Sequence, residues 1–319
     1  MESKPKVDAI ADSPLIFLEG NILWQFENLS EFGAKKLKMQ VADGILSGEI
    51  ELDLSSVSPK GPWITQRLAD VPEIHVYLSH LEMLWAFIYG WMVVYEECVQ
   101  EAQLNPTEQL DDKTEALIDR AQELLKWSGS LSETYTPWPV DLPSPKNFAS
   151  AQEEWYGLKA NLVFQKAVAY LLCHERAHAV FGHLNANPSI AGNQLLLDME
   201  KEADLAAFND LIESSLDDHE KSSEAWAMLS VLLSSFYLCK DPRDALHSRG
   251  HPALHHRLSY MIERLAFSNP NYDYYFVFLC RLVLRNVFPE VLNSTRQFDD
   301  WRDALTDAFD ALDQIVLAP

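Results

Sequence analysis

Apolar and polar positions along the chain change period twice. Near the N-terminus, Lys36–Val41 and Gly48–Leu54 alternate, and Ala-Asp-Gly between them offers a tight turn; this predicts a small β-hairpin. Pro59, Gly61 and Pro62 then mark a loop. From Val71 onward the period is helical. One helix is predicted over 72–104. A second should start at Asn105-Pro106-Thr107-Glu108, where a cap, a first-turn proline and a glutamate coincide, and run to about Trp127. Residues 129–148 carry four prolines and read as an irregular connection.

Ser150-Ala-Gln-Glu153 is a capping box for a helix from Ala151 through His178, with a bend allowed at Gly157 and an end near Gly182. Between Leu162 and Cys173 this helix is apolar on nearly every side, the mark of an element at the centre of a domain. Further helices fit 193–214, 222–239, 252–267, 272–287 and 298–316. The last places Trp301, Leu305, Phe309, Leu312 and Val316 on one side and a series of aspartates on the other. The expected fold is mainly α (α+β). Its small β-containing region covers 1–66, and a helical domain covers 67–319.

Composition narrows the class. A chain of 319 residues with 48% apolar residues can bury a sizeable core. Its net charge of −23 repels phosphate backbones and anionic lipid, so neither nucleic acid nor a membrane surface is an expected partner. The apolar stretches Met83–Tyr95, Ala225–Cys239 and Tyr272–Phe288 are too short or too charged to span a bilayer and read as core helices. The N-terminal MESKPKVDAIADS has no secretory apolar core, and Cys98, Cys173, Cys239 and Cys280 show no disulfide or CxxC spacing. These features fit a cytoplasmic protein.

Three motifs carry chemistry. His174-Glu175-Arg176-Ala177-His178 is an HExxH. Histidines four apart share a helix face and can present two imidazoles to one metal ion. Glu175, one step round the helix, can serve as a general base. Two imidazoles leave the site one protein ligand short. Glu200, opening an ExxAD string 22 residues after His178, can supply it, and Asp204 can hold a ligand imidazole in its tautomer. Third, His251-Pro252 opens a helix that carries Arg257. The plain alternatives are a solvated acidic face at 200–204 and a loop histidine at 251. Cys173 reads as a core residue, and His75 and His80 as satisfied histidines near an apolar helix.

HExxH, ExxAD and HPxxxxR in that order resemble the gluzincin class that includes the CAAX prenyl proteases and HtpX-like peptidases; His183 matches a histidine common there. In size and motif placement the chain is also similar to the phage-exclusion Lit peptidases. The resemblance implies a zincin-like core and a zinc metallopeptidase acting on an intracellular protein, with elongation factor Tu, a translation factor, as the associated substrate type. It further implies Zn2+ on His174, His178 and Glu200, catalysis by Glu175, His251 near the metal to stabilise the oxyanion or gate the site, and Asp204 and Arg257 as supports; in such a mechanism Tyr260 is a second candidate for the oxyanion. Hydrolysis would proceed by a zinc-activated water. A substrate strand would pair with residues 36–54. The competing reading is an inert regulatory or interaction protein on a metallopeptidase fold.

Overall fold

The computed structural model describes residues 13–29, 33–55, 57–65, 71–101, 110–185, 193–212, 217–247, 251–292 and 296–317. The architecture is mainly α with one three-stranded sheet. In chain order come α1 (Glu19–Glu27), α2 (Gly33–Ala42), β1 (Ile50–Asp53), β2 (Trp63–Thr65), β3 (Glu73–Tyr77), α3 (Leu78–Tyr95) and α4 (Asp112–Ser130). Then follow α5 (Ala151–Val180), α6 (Asn193–Ile212), α7 (Asp218–Ser234), α8 (Leu254–Leu265), α9 (Pro270–Val287) and α10 (Trp301–Leu317).

Helix α5 is the axis. Ser150 Oγ accepts from the Glu153 N–H at 3.1 Å, and Glu153 Oε2 accepts from the Ala149 N–H at 2.6 Å, so the capping box closes with its return bond one residue early. From Val163 to Ala177 most side chains are buried, and α1, α3, α6 and α7 pack around the helix. The helix runs through Gly157 without interruption. Glycine is needed there because a Cβ would lie 2.0 Å from the Phe148 ring, which crosses the helix at that point. Val180 is the last helical residue, and Gly182, at φ +72°, turns the chain where a side chain would be strained. Helix α3 is buried on all sides, as expected for Met83–Tyr95. Among the described residues no helix is long and apolar enough to cross a membrane.

The strands differ from expectation. Residues 36–41 are helical within α2, so the 36–54 hairpin does not form. Lysine, leucine, methionine and glutamine favour a helix as much as their alternation suggests a strand. Only Ile50–Asp53 is extended, and it pairs in parallel with β3, with Ile50 opposite Ile74. β2 pairs antiparallel on the other side of β3, with Trp63 opposite His75, giving the order β1-β3-β2. The expected helix over 72–104 therefore begins with a central strand. Ile74, His75 and Val76 are buried, and the helix starts only at Leu78. The start expected at Asn105-Pro106-Thr107-Glu108 lies outside the described residues. Within them, α4 is capped by Asp111, whose side chain accepts from the Thr114 N–H at 2.7 Å.

Helix α7 begins four residues before its expected start, at Asp218, capped by Asp217. The connection 131–150 is irregular, as four prolines dictate. Helix α10 buries Leu305 and Leu312 against α8 and α9 and turns its aspartates outward.

Candidate metal centre

His174 and His178 lie one turn apart near the end of α5, and α6 carries Glu200 across to them. Their Nε2 atoms are 3.2 Å apart. Glu200 spans the pair, with Oε2 3.5 Å from His174 Nε2 and Oε1 3.5 Å from His178 Nε2. Tetrahedral zinc with bonds of about 2.0–2.2 Å sets its ligand atoms roughly 3.3–3.5 Å apart, and the two imidazole nitrogens and the Glu200 carboxylate, one oxygen toward each ring, approach one another on that scale. The chemistry fits as well. Three donors of the zinc type converge, two of them buried.

Two lines of polar contacts run outward from the imidazoles. His174 Nδ1 is 3.0 Å from Asp204 Oδ1. The Arg257 guanidinium donates to both oxygens of Asp204, at 2.6 and 2.7 Å. Burial would push the Asp204 carboxyl up, but the Arg257 charge and the bonds from His174 and Arg257 outweigh it and hold the group well below the usual carboxylate range. On the other side, His178 Nδ1 is 3.0 Å from His183 Nδ1, and His183 Nε2 is 3.0 Å from Glu202 Oε2. Burial lowers the pKa of His174, but Asp204 and Glu200 outweigh it and raise it to about 10. Burial lowers that of His178 to about 4.

Glu175 is buried beside the triangle. Burial, with the nearby Glu200 charge, raises its pKa to about 7 against the opposing pull of His174, His251 and Arg257. A cavity of about 260 Å³ opens over it, lined by Gly61, Pro62, His80, Glu175, His251 and Arg257 among others. His251 Nδ1 reaches Glu200 Oε2 at 2.7 Å, with half of its side chain exposed. Tyr260 does not line this cavity; Arg264 stacks on its ring at 4.5 Å. His75 and His80 are both buried and differ in hydrogen bonding. His75 uses both ring nitrogens, on Glu51 and Thr65, at 2.7 Å each. His80 is buried with Nδ1 unpartnered and borders the cavity.

Of the residues singled out from the three motifs, His174, Glu175, His251 and Arg257 line this cavity, and His178, Glu200 and Asp204 are joined to them by the contacts above. Sequence reading missed Glu202, which stands inside ExxAD with nothing to distinguish it from a solvated glutamate. It also missed His80, and the loop before β2. At the cavity stand Gly61 and Pro62, the loop residues just before β2, whereas β1 lies along an apolar groove on Val168 and Leu172. Two other groups among the described residues have metal-compatible spacing: Glu51, Glu73 and His75, and His255, His256 and Asp313. In the second, His255 Nε2 and His256 Nε2 both meet Asp313 Oδ1 at 2.8 Å, and His256 and Asp313 are partly exposed.

Comparison with known proteins points to a peptidase family. The "Cell death peptidase" of Escherichia coli (strain K12) is 30% identical over 113 residues, 35% of this chain and 37% of that protein. The alignment therefore spans little more than a third of the relative's length. No solved structure matches the chain. The Peptidase U49 family model matches residues 74–277, from β3 through the two motif helices and into α9. With well over half of its length inside that match, the chain belongs to the Peptidase U49 family.

Proposed function

We propose that this chain is a zinc-dependent endopeptidase that hydrolyses peptide bonds of a protein substrate. The observation that carries the reading is the His174–His178–Glu200 triangle, with a buried carboxyl, Glu175, facing the same cavity. Bound zinc would supply a Lewis acid for the peptide carbonyl and lower the pKa of the attacking water. Glu175 takes the proton of that water as its oxygen attacks the carbonyl carbon, and delivers it to the amine as the C–N bond breaks. A pKa of about 7 suits both transfers, and burial is its main cause. His251, half exposed at the cavity wall, donates toward the carbonyl oxygen or closes the cavity. Arg257 and Asp204 keep His174 in place.

The edge of β2 beside Gly61 and Pro62 is the surface on which an extended substrate would lie. A cytoplasmic location belongs to this reading, supported by four unpaired cysteines. The resemblance to phage-exclusion peptidases makes a translation factor the first substrate to assay.

The test has two stages. Zinc is first quantified in wild type and Glu200→Ala; the reading expects one equivalent in the former and loss in the latter. Zinc-loaded wild type and Glu175→Gln are then incubated with bacterial translation factors, and new N-termini are sought by mass spectrometry. Wild-type cleavage that is absent from Glu175→Gln supports the assignment. Cleavage by Glu175→Gln at the wild-type rate removes Glu175 as the base. Stoichiometric zinc with no hydrolysis of any protein offered favours the inert, regulatory reading.

A further inference from the structure

His183 was not required by any motif, yet the chain turns back to place it. Gly182, at φ +72°, reverses the backbone after α5, and His183 folds against the helix it has just left. Its ring stands 5.0 Å from that of His178, with the two planes at 70°. Its Nδ1 meets His178 Nδ1 at 3.0 Å, and its Nε2 meets Glu202 Oε2 at 3.0 Å. The side chain of His183 is buried, while that of Glu202 is 57% exposed.

Proton bookkeeping along this line has one self-consistent solution for neutral imidazoles. A carboxylate only accepts, so Nε2 of His183 carries the hydrogen toward Glu202. A neutral imidazole has one N–H, which leaves Nδ1 of His183 as an acceptor. The hydrogen between the two Nδ1 atoms therefore belongs to His178. Its own Nε2 is then a bare lone pair, and it points into the triangle shared with His174 and Glu200. The opposite tautomer would put a hydrogen on Nε2, 3.2 Å from His174 Nε2, where a cation would have to bind.

We infer that Glu202 and His183 form a positioning relay that locks His178 in the tautomer able to bind a metal. The relay rests on the reading that His174, His178 and Glu200 hold a divalent ion. It contributes affinity for that ion and takes no part in the chemistry. Outer hydrogen bonds of this kind are worth roughly 10–100-fold in metal affinity.

The test is a zinc dissociation constant, measured on the full chain by competition with a chromogenic chelator. His183→Leu should weaken zinc roughly 10–100-fold. His183→Gln can accept from His178 and donate to Glu202 through its amide, and should restore most of that loss. Glu202→Ala, at an exposed position where folding is not at risk, should weaken zinc by a smaller factor, because water can replace the carboxylate. In the zinc-loaded protein, long-range 15N–1H NMR should place the His178 hydrogen on Nδ1. Wild type that binds no zinc would end the metal reading itself. Wild type that binds zinc, with Glu202→Ala and His183→Leu each within about twofold of it, would end the relay alone. Failure of His183→Gln to recover what His183→Leu loses would also overturn it, since ring packing and not hydrogen bonding would then be at work.

Discussion

The two histidines of the triangle look equivalent in sequence and are supported in opposite ways. Behind His174 the line runs inward: Asp204 is 2% exposed and its charge is met by the bidentate guanidinium of Arg257. Behind His178 it runs outward, through His183 to a carboxylate that is 57% exposed and faces solvent. The first arm is an ion pair taken out of water, in which each partner depends on the other. The second is a chain of two hydrogen bonds that water can mend. One arm therefore couples the metal site to the stability of the fold, and the other tunes the ligand with little structural consequence. Both carboxylates sit on α6 two residues apart, on either side of Ala203, so the burial of each position and not its residue type assigns the role.

The largest expected effect breaks the inward arm. Arg257→Met keeps the length and apolar stem of the side chain but leaves Asp204 buried without its cation. Removing one partner of a buried pair costs about 3–5 kcal/mol. Urea denaturation of metal-free protein should show that loss as a lower midpoint. A loss below about 1 kcal/mol would mean that Asp204 reaches water and that the contrast between the arms is false.

What the sequence revealed follows the same division between local and non-local. His174, Glu175 and His178 were legible because four-residue spacing on one helix fixes their face. Glu200 and Asp204 were legible through the same spacing on a second helix, given that something had to complete the ligand set. Arg257 was singled out from its motif alone; that its partner is Asp204 emerges only when the fold brings its guanidinium across from α8 to α6. The strands were misread because β1 pairs with β3 across more than twenty residues, and no local alternation reports so distant a partner. Glu73–Tyr77 was absorbed into the following helix because a central strand and a buried helix are both simply apolar. His80 looked satisfied beside its apolar helix, and the chain gave no sign that its neighbours would leave Nδ1 without a partner.

A third buried carboxyl sharpens the contrast. Glu82, on α3, is 1% exposed like Asp204 but has hydroxyl partners and no cation: Ser13 Oγ donates to it at 2.7 Å, and Tyr135 bonds to it as well. Burial outweighs those bonds and raises its pKa to about 7. A group whose pKa is raised on folding stabilises the fold fully below its unfolded pKa, near 4.5, and loses that contribution as pH rises through about 7. Between pH 6 and 8 the wild type should lose about 1.4 kcal/mol from this group, one pKa unit's worth. Glu82→Gln should remove that part of the slope. Urea midpoints of the two proteins at pH 6, 7 and 8 measure it. Parallel slopes would show that Glu82 is already ionised at pH 6.

The smallest effect is expected at the outward arm, and it separates tuning from support. Glu202→Ala removes an exposed carboxylate that, among the described residues, pairs with His183, so metal-free protein should change in stability by less than about 0.5 kcal/mol. Zinc changes the comparison. An ion that binds only the folded chain raises its stability in proportion to the logarithm of its affinity, so a several-fold weaker site gives a smaller rise in Tm at the same free zinc. Wild type and Glu202→Ala should therefore melt together without metal and separate when zinc is added, with the variant lower. The Arg257→Met protein should instead be displaced from wild type in both conditions. A Glu202→Ala protein destabilised equally with and without zinc would make the outward arm a structural contact like the inward one, and the asymmetry between His174 and His178 would be lost.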